Sequence, residues 1–389
     1  MRLYILLFVI AWTNVTLLKS QTNLDEHFVF EGKMRNYRVY LPANYVEGNI
    51  YPVILQFHAY TESAISDQNF TKWMPVADTA GFLVVYPTGQ RAPEQNNNLY
   101  WNVGWSWMPN TNDIGFVSAL IDTLYAKHHI DLTRVYASGM SNGAFMAYVL
   151  GAKLHNKIAA VASVSGGIVP GVFDTLVPQG PIPTLEMHGT ADDVVPYNGG
   201  NGMFASAHVD SVFYFWGRNN QCSLQVDTTK LDNLNTTDGS TVYMFQFHDD
   251  SCQYESRLYQ IVGGGHVDWP GSSTPGNKDI NACSEIWNFF KQYSIIVGVN
   301  DPMKDDAMQV SLYPSPVQDW LTINLDPIAD DRREFTFTLL NALGGVVQRG
   351  KINSGESSYS LEMQAYAPGI YFLAISDGKR LSTFKVIKV

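Results

Sequence analysis

Two short runs, VILQF at 53–57 and FLVVY at 82–86, are apolar almost without a break; His58 ends the first and Pro87 the second. A strand with one wet face alternates apolar and polar residues. A run that does not alternate must be covered on both faces, which is the condition of a strand in a mainly parallel sheet. Between and beyond these runs lie stretches with the three-and-four spacing of helices. DIGFVSALIDTLYAKH at 113–128 is the longest, with Asp113 placed to cap it. The pattern predicts strands at 37–41, 53–57, 82–86, 134–137, 159–164, 184–187, 242–247 and 257–262. It predicts helices at 113–128, 142–154, 204–216 and 285–293. Strands alternating with helices over some 260 residues imply a doubly wound α/β domain.

Inside that alternation sits ASGMSNGAF at 137–145, a serine two residues from a glycine on each side. RVYA before it reads as a strand and NGAFMAYVL after it as a helix. A GxSxG on a strand–turn–helix is a nucleophile elbow, in which small neighbours permit a sharp turn and the hydroxyl stands clear of the sheet. Ser141 would be the nucleophile. An ordinary capping serine in a glycine turn is the plainer reading, and chain order tests it. In this fold an acid and then a histidine follow the serine, each on a loop after a strand. TLEMHGTADDVVPY supplies Asp192, with Asp193 as the alternative. LYQIVGGGHVDWPG supplies His266. Asp268 lies too near His266 in the chain to reach its ring. His58 and His188 end strands and are expected to orient loops; His128, His129 and His155 are expected at the surface. The N–H of Asn142, at the helix start, can face an oxyanion. A second donor is expected among Ala59 to Thr61, with Tyr60 the best choice. Trp101, Trp105, Trp107 and Trp269 offer aromatic walls, and Trp105 and Trp269 are the expected substrate contacts.

The chain opens MRLYILLFVIAWTNVTLLKSQTN, with Arg2, an apolar stretch from Leu3 to Trp12 and a small residue, Ser20, before Gln21. This is the pattern of a secretory signal over residues 1–20. Export makes a disulfide plausible among three cysteines. Cys283 sits on an apolar helical pattern where a thiol is ordinarily buried, which leaves Cys222 and Cys252 as the favoured pair. The formal net charge of −11 gives no footprint for nucleic acid. No other stretch approaches the length of a membrane span. No Cys/His cluster suggests a metal, and neither a metal nor an organic cofactor is expected.

The motifs DIGFVSALIDTLYAKHHIDLTRVYASGMSNGAFMAYVL, HGTADDVVPY and GGGHVDWPG together resemble secreted esterases of the polyhydroxybutyrate depolymerase and feruloyl esterase group, carbohydrate esterase family 1. The resemblance covers about residues 37–293. It implies an α/β-hydrolase fold, an acyl-enzyme mechanism with Ser141, Asp192 and His266 as the triad, and a bridge between Cys222 and Cys252. Feruloyl or acetyl esters of plant cell-wall polysaccharide are the favoured substrate and a polyester the runner-up. A peptidase, or a surface binding protein with a relic triad, stands behind these. Two departures are His58-Ala59, where the family has His-Gly, and the two residues between His266 and Trp269.

Near Gly298 the texture changes. VGVNDPMKDDAM reads as a linker over 297–308. Beyond it come only short alternating strands and turn signals, the pattern of a small β-sandwich. SLYPSPVQDWLTINL through APGIYFLAISDGKRLSTFKVIKV resembles the sorting domain of the type IX secretion system. That resemblance implies the outer-membrane secretion machinery as a partner, and a released or surface location. A carbohydrate-binding sandwich is the other reading. The boundaries read from the sequence are 21–296 for the esterase domain and 309–389 for the sorting domain.

Overall fold

The computed structural model describes residues 22–247, 252, 254–266, 269–271, 276–295, 310–314, 316–325, 335–341, 345–353, 356, 358–377 and 381–389. The signal segment, the linker and Val267–Asp268 lie outside the described residues. The chain divides into two compact units after Ile295.

In the first unit the strands are β1 (Thr22–Phe30), β2 (Lys33–Leu41), β3 (Tyr51–Phe57), β4 (Leu83–Pro87), β5 (Gln90–Ala92), β6 (Asn98–Tyr100), β7 (Ile130–Met140), β8 (Ala160–Val164), β9 (Thr184–Gly189), β10 (Val226–Lys230), β11 (Thr241–Phe247) and β12 (Ser256–Val262). The helices are α1 (Ala64–Thr71), α2 (Met74–Ala80), α3 (Asp113–His128), α4 (Asn142–Lys153), α5 (Pro170–Phe173), α6 (Val209–Asn219) and α7 (Ala282–Phe290). Among the described residues ten strands form one sheet in the order β1-β2-β4-β3-β7-β8-β9-β12-β11-β10. The middle, from β4 to β12, is parallel; the two edges are antiparallel.

The unbroken apolar runs now have their cause. Val53, Leu55 and Phe57 of β3 face one core, with side chains of α3, α4 and α6. Ile54, between them, faces the other core, with side chains of α2 and α7. Successive side chains of a strand point to opposite faces, so a sheet covered twice needs apolar residues at both parities. Each such side chain, once fully buried, contributes roughly 1.5–3 kcal/mol.

Several local expectations are corrected. Asp113 does not cap α3; Asn112 does, its Oδ1 accepting from Gly115 N at 2.9 Å. Asp113 is buried instead, paired with Arg35 at 2.9 Å and accepting from Asn102 N at 2.9 Å. The helix expected at 204–216 begins only at Val209. Gly200 and Ser206 exchange backbone hydrogen bonds and Ala207 N donates to Ile168 O, so those groups are committed before a helix can form. His128 is buried rather than on the surface, with Nε2 3.2 Å from Glu26 Oε1. Glu26 belongs to β1, a strand the sequence reading did not place. The disulfide joins Cys222 to Cys252, and Cys283 is free and buried.

The second unit contains β13 (Val310–Tyr313), β14 (Trp320–Leu325), β15 (Phe335–Asn341), β16 (Val346–Ile352), β17 (Ser358–Glu362), β18 (Gly369–Ser376) and β19 (Leu381–Lys388). Sheets β13-β14-β17 and β16-β15-β18-β19 enclose one core. Leu321, Ile323 and Leu325 meet Phe335, Phe337 and Leu339 there, every second residue of their strands. That is the small all-β sandwich expected.

The tightest packing in the first unit lies at the start of α4. A Cβ at Gly143 would stand 2.0 Å from Phe57 O, and one at Gly139 would stand 2.3 Å from Gly143 O. Both neighbours are backbone and cannot swing aside. Gly143→Ala should therefore cost at least about 3 kcal/mol in chemical denaturation. Gly202→Ala, where a Cβ meets nothing within 4 Å, serves as the control and should be close to neutral.

Candidate active site

Ser141 stands between β7 and α4 with φ 52° and ψ −122°. A non-glycine residue rarely takes this backbone, at a cost on the order of 1–3 kcal/mol. The surroundings enforce it. Ser141 N donates to Val164 O of β8 at 2.9 Å, and Ser141 O accepts from Ala144 N and Phe145 N as α4 begins. The side chain is thereby turned out of the sheet at the carboxyl end of a parallel strand.

Asp192 follows β9 and His266 follows β12, two parallel neighbours. Their loops lie against each other: Ala191 N donates to Gly264 O at 2.9 Å, and a Cβ at Gly189 would stand 2.2 Å from the same oxygen. This contact brings the two side chains together. His266 Nδ1 lies 2.8 Å from Asp192 Oδ2, and His266 Nε2 lies 3.0 Å from Ser141 Oγ. The sheet order thus collects three residues, 74 and 125 positions apart along the chain, into one hydrogen-bonded line. Asp193, the alternative acid, is exposed.

The electrostatics favour a charged acid. Burial works against the Asp192 charge, but hydrogen bonds from His188 and His266 outweigh it and hold the carboxyl well below the usual carboxylate range. Its Oδ1 also accepts from Val194 N at 2.9 Å and Val195 N at 2.7 Å. An aspartate fixed by both oxygens can hold an imidazole in one tautomer, with Nδ1 donating and Nε2 free to take the serine proton.

The loop after β3 lies against the start of α4, as the close approach of Phe57 O and His58 O to Gly143 shows. His58 pins it: Nδ1 donates to Ala59 O at 2.8 Å and Nε2 accepts from Gly89 N at 2.9 Å. Burial lowers its pKa to about 4, in keeping with a ring that donates at one nitrogen and accepts at the other. Of the amides considered at Ala59 to Thr61, Thr61 N–H is committed to Leu99 O. Tyr60 remains eligible. The first amides of a helix, here those of Asn142 and Gly143, have no intrahelical carbonyl to reach.

The expected substrate contacts fare differently. Trp269 is 1% exposed and packs on Trp73 in the core shared with α7. It is a core residue, enclosed with Trp73 and the apolar side chains of α7. Trp105 is buried and backs Trp107 in a stacked pair. The accessible aromatic face is made by half-buried Tyr60, Trp107 and Phe204, with ring centroids 5.8–5.9 Å apart. Phe204 reaches it only because residues 204–208 are not helical. Sequence reading also underrated His188 and missed Glu186, which sit two apart on β9. Two titratable residues at i and i+2 of a buried strand share one face, a signal that was available. Among the described residues no group of three or more His, Cys, Asp or Glu is placed to hold a metal ion, and no helix is long and apolar enough to cross a membrane.

A strained serine at a strand–helix junction, facing histidine and aspartate at the carboxyl ends of parallel strands, defines the α/β-hydrolase fold. Residues 35–180 match the family model described as Esterase PHB depolymerase, and residues 311–389 that described as Secretion system C-terminal sorting domain. Residues 35–180 thus match an esterase domain and residues 311–389 a sorting domain, and the resemblance read from the sequence holds. The sorting domain marks a protein for release or for the cell surface. A bifunctional acetylxylan esterase/xylanase of Neocallimastix patriciarum is 31% identical over 265 residues, 68% of this chain and 34% of the relative. Feruloyl esterase B of Piromyces equi is 26% identical over 267 residues, 66% of this chain and 45% of the relative. The chain thus spans a third to a half of the length of these curated relatives. An acetyl xylan esterase structure from Aspergillus awamori aligns with a TM-score of 0.48 at 13% identity, covering 66% of this chain and 94% of that one.

Asn142 also holds the neighbouring loop. Its Oδ1 accepts from Trp101 N at 2.7 Å and its Nδ2 donates to Trp101 O at 3.0 Å, all buried. Asn142→Ala would leave both groups of Trp101 unpaired, each costing about 1–3 kcal/mol. Urea unfolding should register a loss of at least about 2 kcal/mol; an unchanged midpoint would refute the clamp.

Proposed function

We propose that this protein is an exported serine esterase. Ser141 attacks the ester carbonyl while His266 takes its proton. His266 then returns that proton to the departing alcohol, and water resolves the acyl-enzyme by the same route. Asp192 keeps the imidazole tautomer and balances the imidazolium. The N–H groups of Tyr60 and Asn142 receive the oxyanion. These steps use side chains and amides of this chain alone. The observation that carries the reading is the line from Ser141 Oγ to His266 at 3.0 Å and on to Asp192 at 2.8 Å.

The substrate we favour is a feruloyl or acetyl ester on plant cell-wall polysaccharide. The relatives named as acetylxylan and feruloyl esterases support it. So does the aromatic face of Tyr60, Trp107 and Phe204, which suits a phenolic acyl group or a sugar ring. The second reading is a polyhydroxyalkanoate depolymerase, favoured by the family description itself. The C-terminal unit would engage the outer-membrane secretion machinery. The division into a signal at 1–20, an esterase domain at 21–296, a linker and a sorting domain from 309 belongs to this proposal.

Ser141→Ala should lower kcat by a factor on the order of a million with the fold retained. Wild-type turnover in that variant would end the assignment. Rates on methyl ferulate, acetylated xylan and a 3-hydroxybutyrate oligomer should differ by at least about a hundredfold, or about 2.7 kcal/mol in transition-state binding, in favour of one of the first two. A preference for the oligomer would establish the second reading.

A further inference from the structure

Beside Asp192, against the same Oδ2 that meets His266, lies a second histidine that the proposed mechanism does not use. His188 is fully buried near the end of β9. Its Nδ1 lies 3.0 Å from Glu186 Oε1. Its Nε2 lies 2.8 Å from Val195 O and 3.3 Å from Asp192 Oδ2. Glu186 in turn accepts at Oε2 from Tyr148 OH, at 2.6 Å, and Tyr148 is on α4, the helix that Ser141 precedes. We propose that His188 is a positioning residue for the ester hydrolysis inferred above: bonded between Glu186 and Asp192, it holds the Asp192 carboxylate on His266 and ties it through Glu186 and Tyr148 to the helix behind Ser141.

The argument rests on donors and acceptors. A neutral imidazole has one N–H and one bare nitrogen. His58 shows what that looks like, with a carbonyl at one nitrogen and an amide N–H at the other. His188 meets only acceptors: a carboxylate at Nδ1, and a carbonyl with a second carboxylate at Nε2. Both nitrogens must carry hydrogen, and only the imidazolium does. A buried cation needs paired charge to be stable, and Glu186 and Asp192 supply it. Burial opposes the proton, but the two carboxylates prevail and raise the His188 pKa to about 9.

The groups that face the ring come from several elements. Glu186 is on its own strand, and Asp192 is on the following loop. Tyr197 meets the ring edge to face at 5.8 Å and donates to Asp210 of α6. Gln260, the partner of His188 on β12, donates to Tyr197 OH. Tyr148 reaches it through Glu186, and His266 lies beyond Asp192. The carboxylate Oδ2 therefore has two histidine partners, one that works and one that holds. When His188 gives up its proton, one nitrogen turns a lone pair toward an acceptor. The grip on Asp192 then fails, without any change in what contacts the substrate.

The test uses the full-length protein and p-nitrophenyl acetate, comparing wild type with His188→Gln, Glu186→Gln and Ser141→Ala. Uncatalysed hydrolysis is subtracted at each pH from an enzyme-free blank. His188→Gln should lower kcat about tenfold at pH 7.5 with KM moved less than twofold, because positioning is lost and contact is not. The wild type should lose kcat as pH rises through about 9, where the cation is lost. Glu186→Gln, with one counter-charge removed, should shift that limb to lower pH, and His188→Gln should lack it. With 15N-labelled histidine, one ring should show both nitrogens protonated at pH 7.5 and should vanish in His188→Gln. Unchanged kcat in a folded His188→Gln, or a bare ring nitrogen on His188, overturns the proposal while a dead Ser141→Ala leaves the esterase reading intact. Wild-type turnover in Ser141→Ala removes the reading itself. If His188→Gln fails to fold by circular dichroism, Glu186→Gln decides alone, and an unmoved alkaline limb overturns the proposal.

Discussion

The start of α4 is pressed against the carbonyls of Phe57 and His58, and the rest of the site depends on that contact. It is closer than any side chain would allow, and it forces the chain to leave β7 through a backbone conformation that Ser141 would not adopt alone. The strain is held by the bond from Ser141 N to β8 and by the helix that begins at once beyond it. Because β3 and α4 touch here, the loop that leads to Tyr60 lies against the helix that starts with Asn142, next to Ser141. The proposed nucleophile and its two proposed oxyanion donors thus depend on one packing contact rather than on three separate adjustments.

Charge organises the other half of the site. Asp192 is buried, yet four donors converge on it: two loop amides, His266 and His188. Such a carboxylate stays ionised where desolvation alone would neutralise it. The two buried strand-end histidines show how the same side chain takes opposite charge states. His58 meets one donor and one acceptor and stays neutral. His188 meets acceptors alone and carries a proton. One pins the loop after β3, and the other anchors the acid.

Around this centre the chain supplies a half-buried aromatic face whose members come from three separate loops. Tyr60 follows β3, Trp107 precedes α3, and Phe204 lies in the segment before α6. Trp105 stiffens the face from behind through Phe145 of α4 and the stacked Trp107. The face is therefore tied to the nucleophile's own helix. Loops that carry substrate contacts on a rigid sheet are free to vary in shape while the serine stays in place.

Much of this was legible in the amino-acid order. The apolar runs at 53–57 and 82–86 required a sheet covered twice. The GxSxG between a strand and a helix named Ser141, and chain order named Asp192 and His266. These features are local, and a residue's type and its near neighbours suffice to read them. What the sequence could not supply depends on contacts between distant segments. β1 alternates around charged residues and became a strand only by pairing with β2, which buried His128 against Glu26. Phe204 to His208 had helical spacing, but the amides of Ser206 and Ala207 were claimed by Gly200 and Ile168, more than a turn away. Trp269, three residues past His266, fell to the core rather than to the accessible aromatic face. The sequence by itself determined the fold class and the order in which Ser141, Asp192 and His266 follow one another along the chain. Only the tertiary structure decided which tryptophans reach solvent and that Asp192 has a second histidine beside it, because burial and hydrogen-bond partnership are set by the other residues that arrive at the same place.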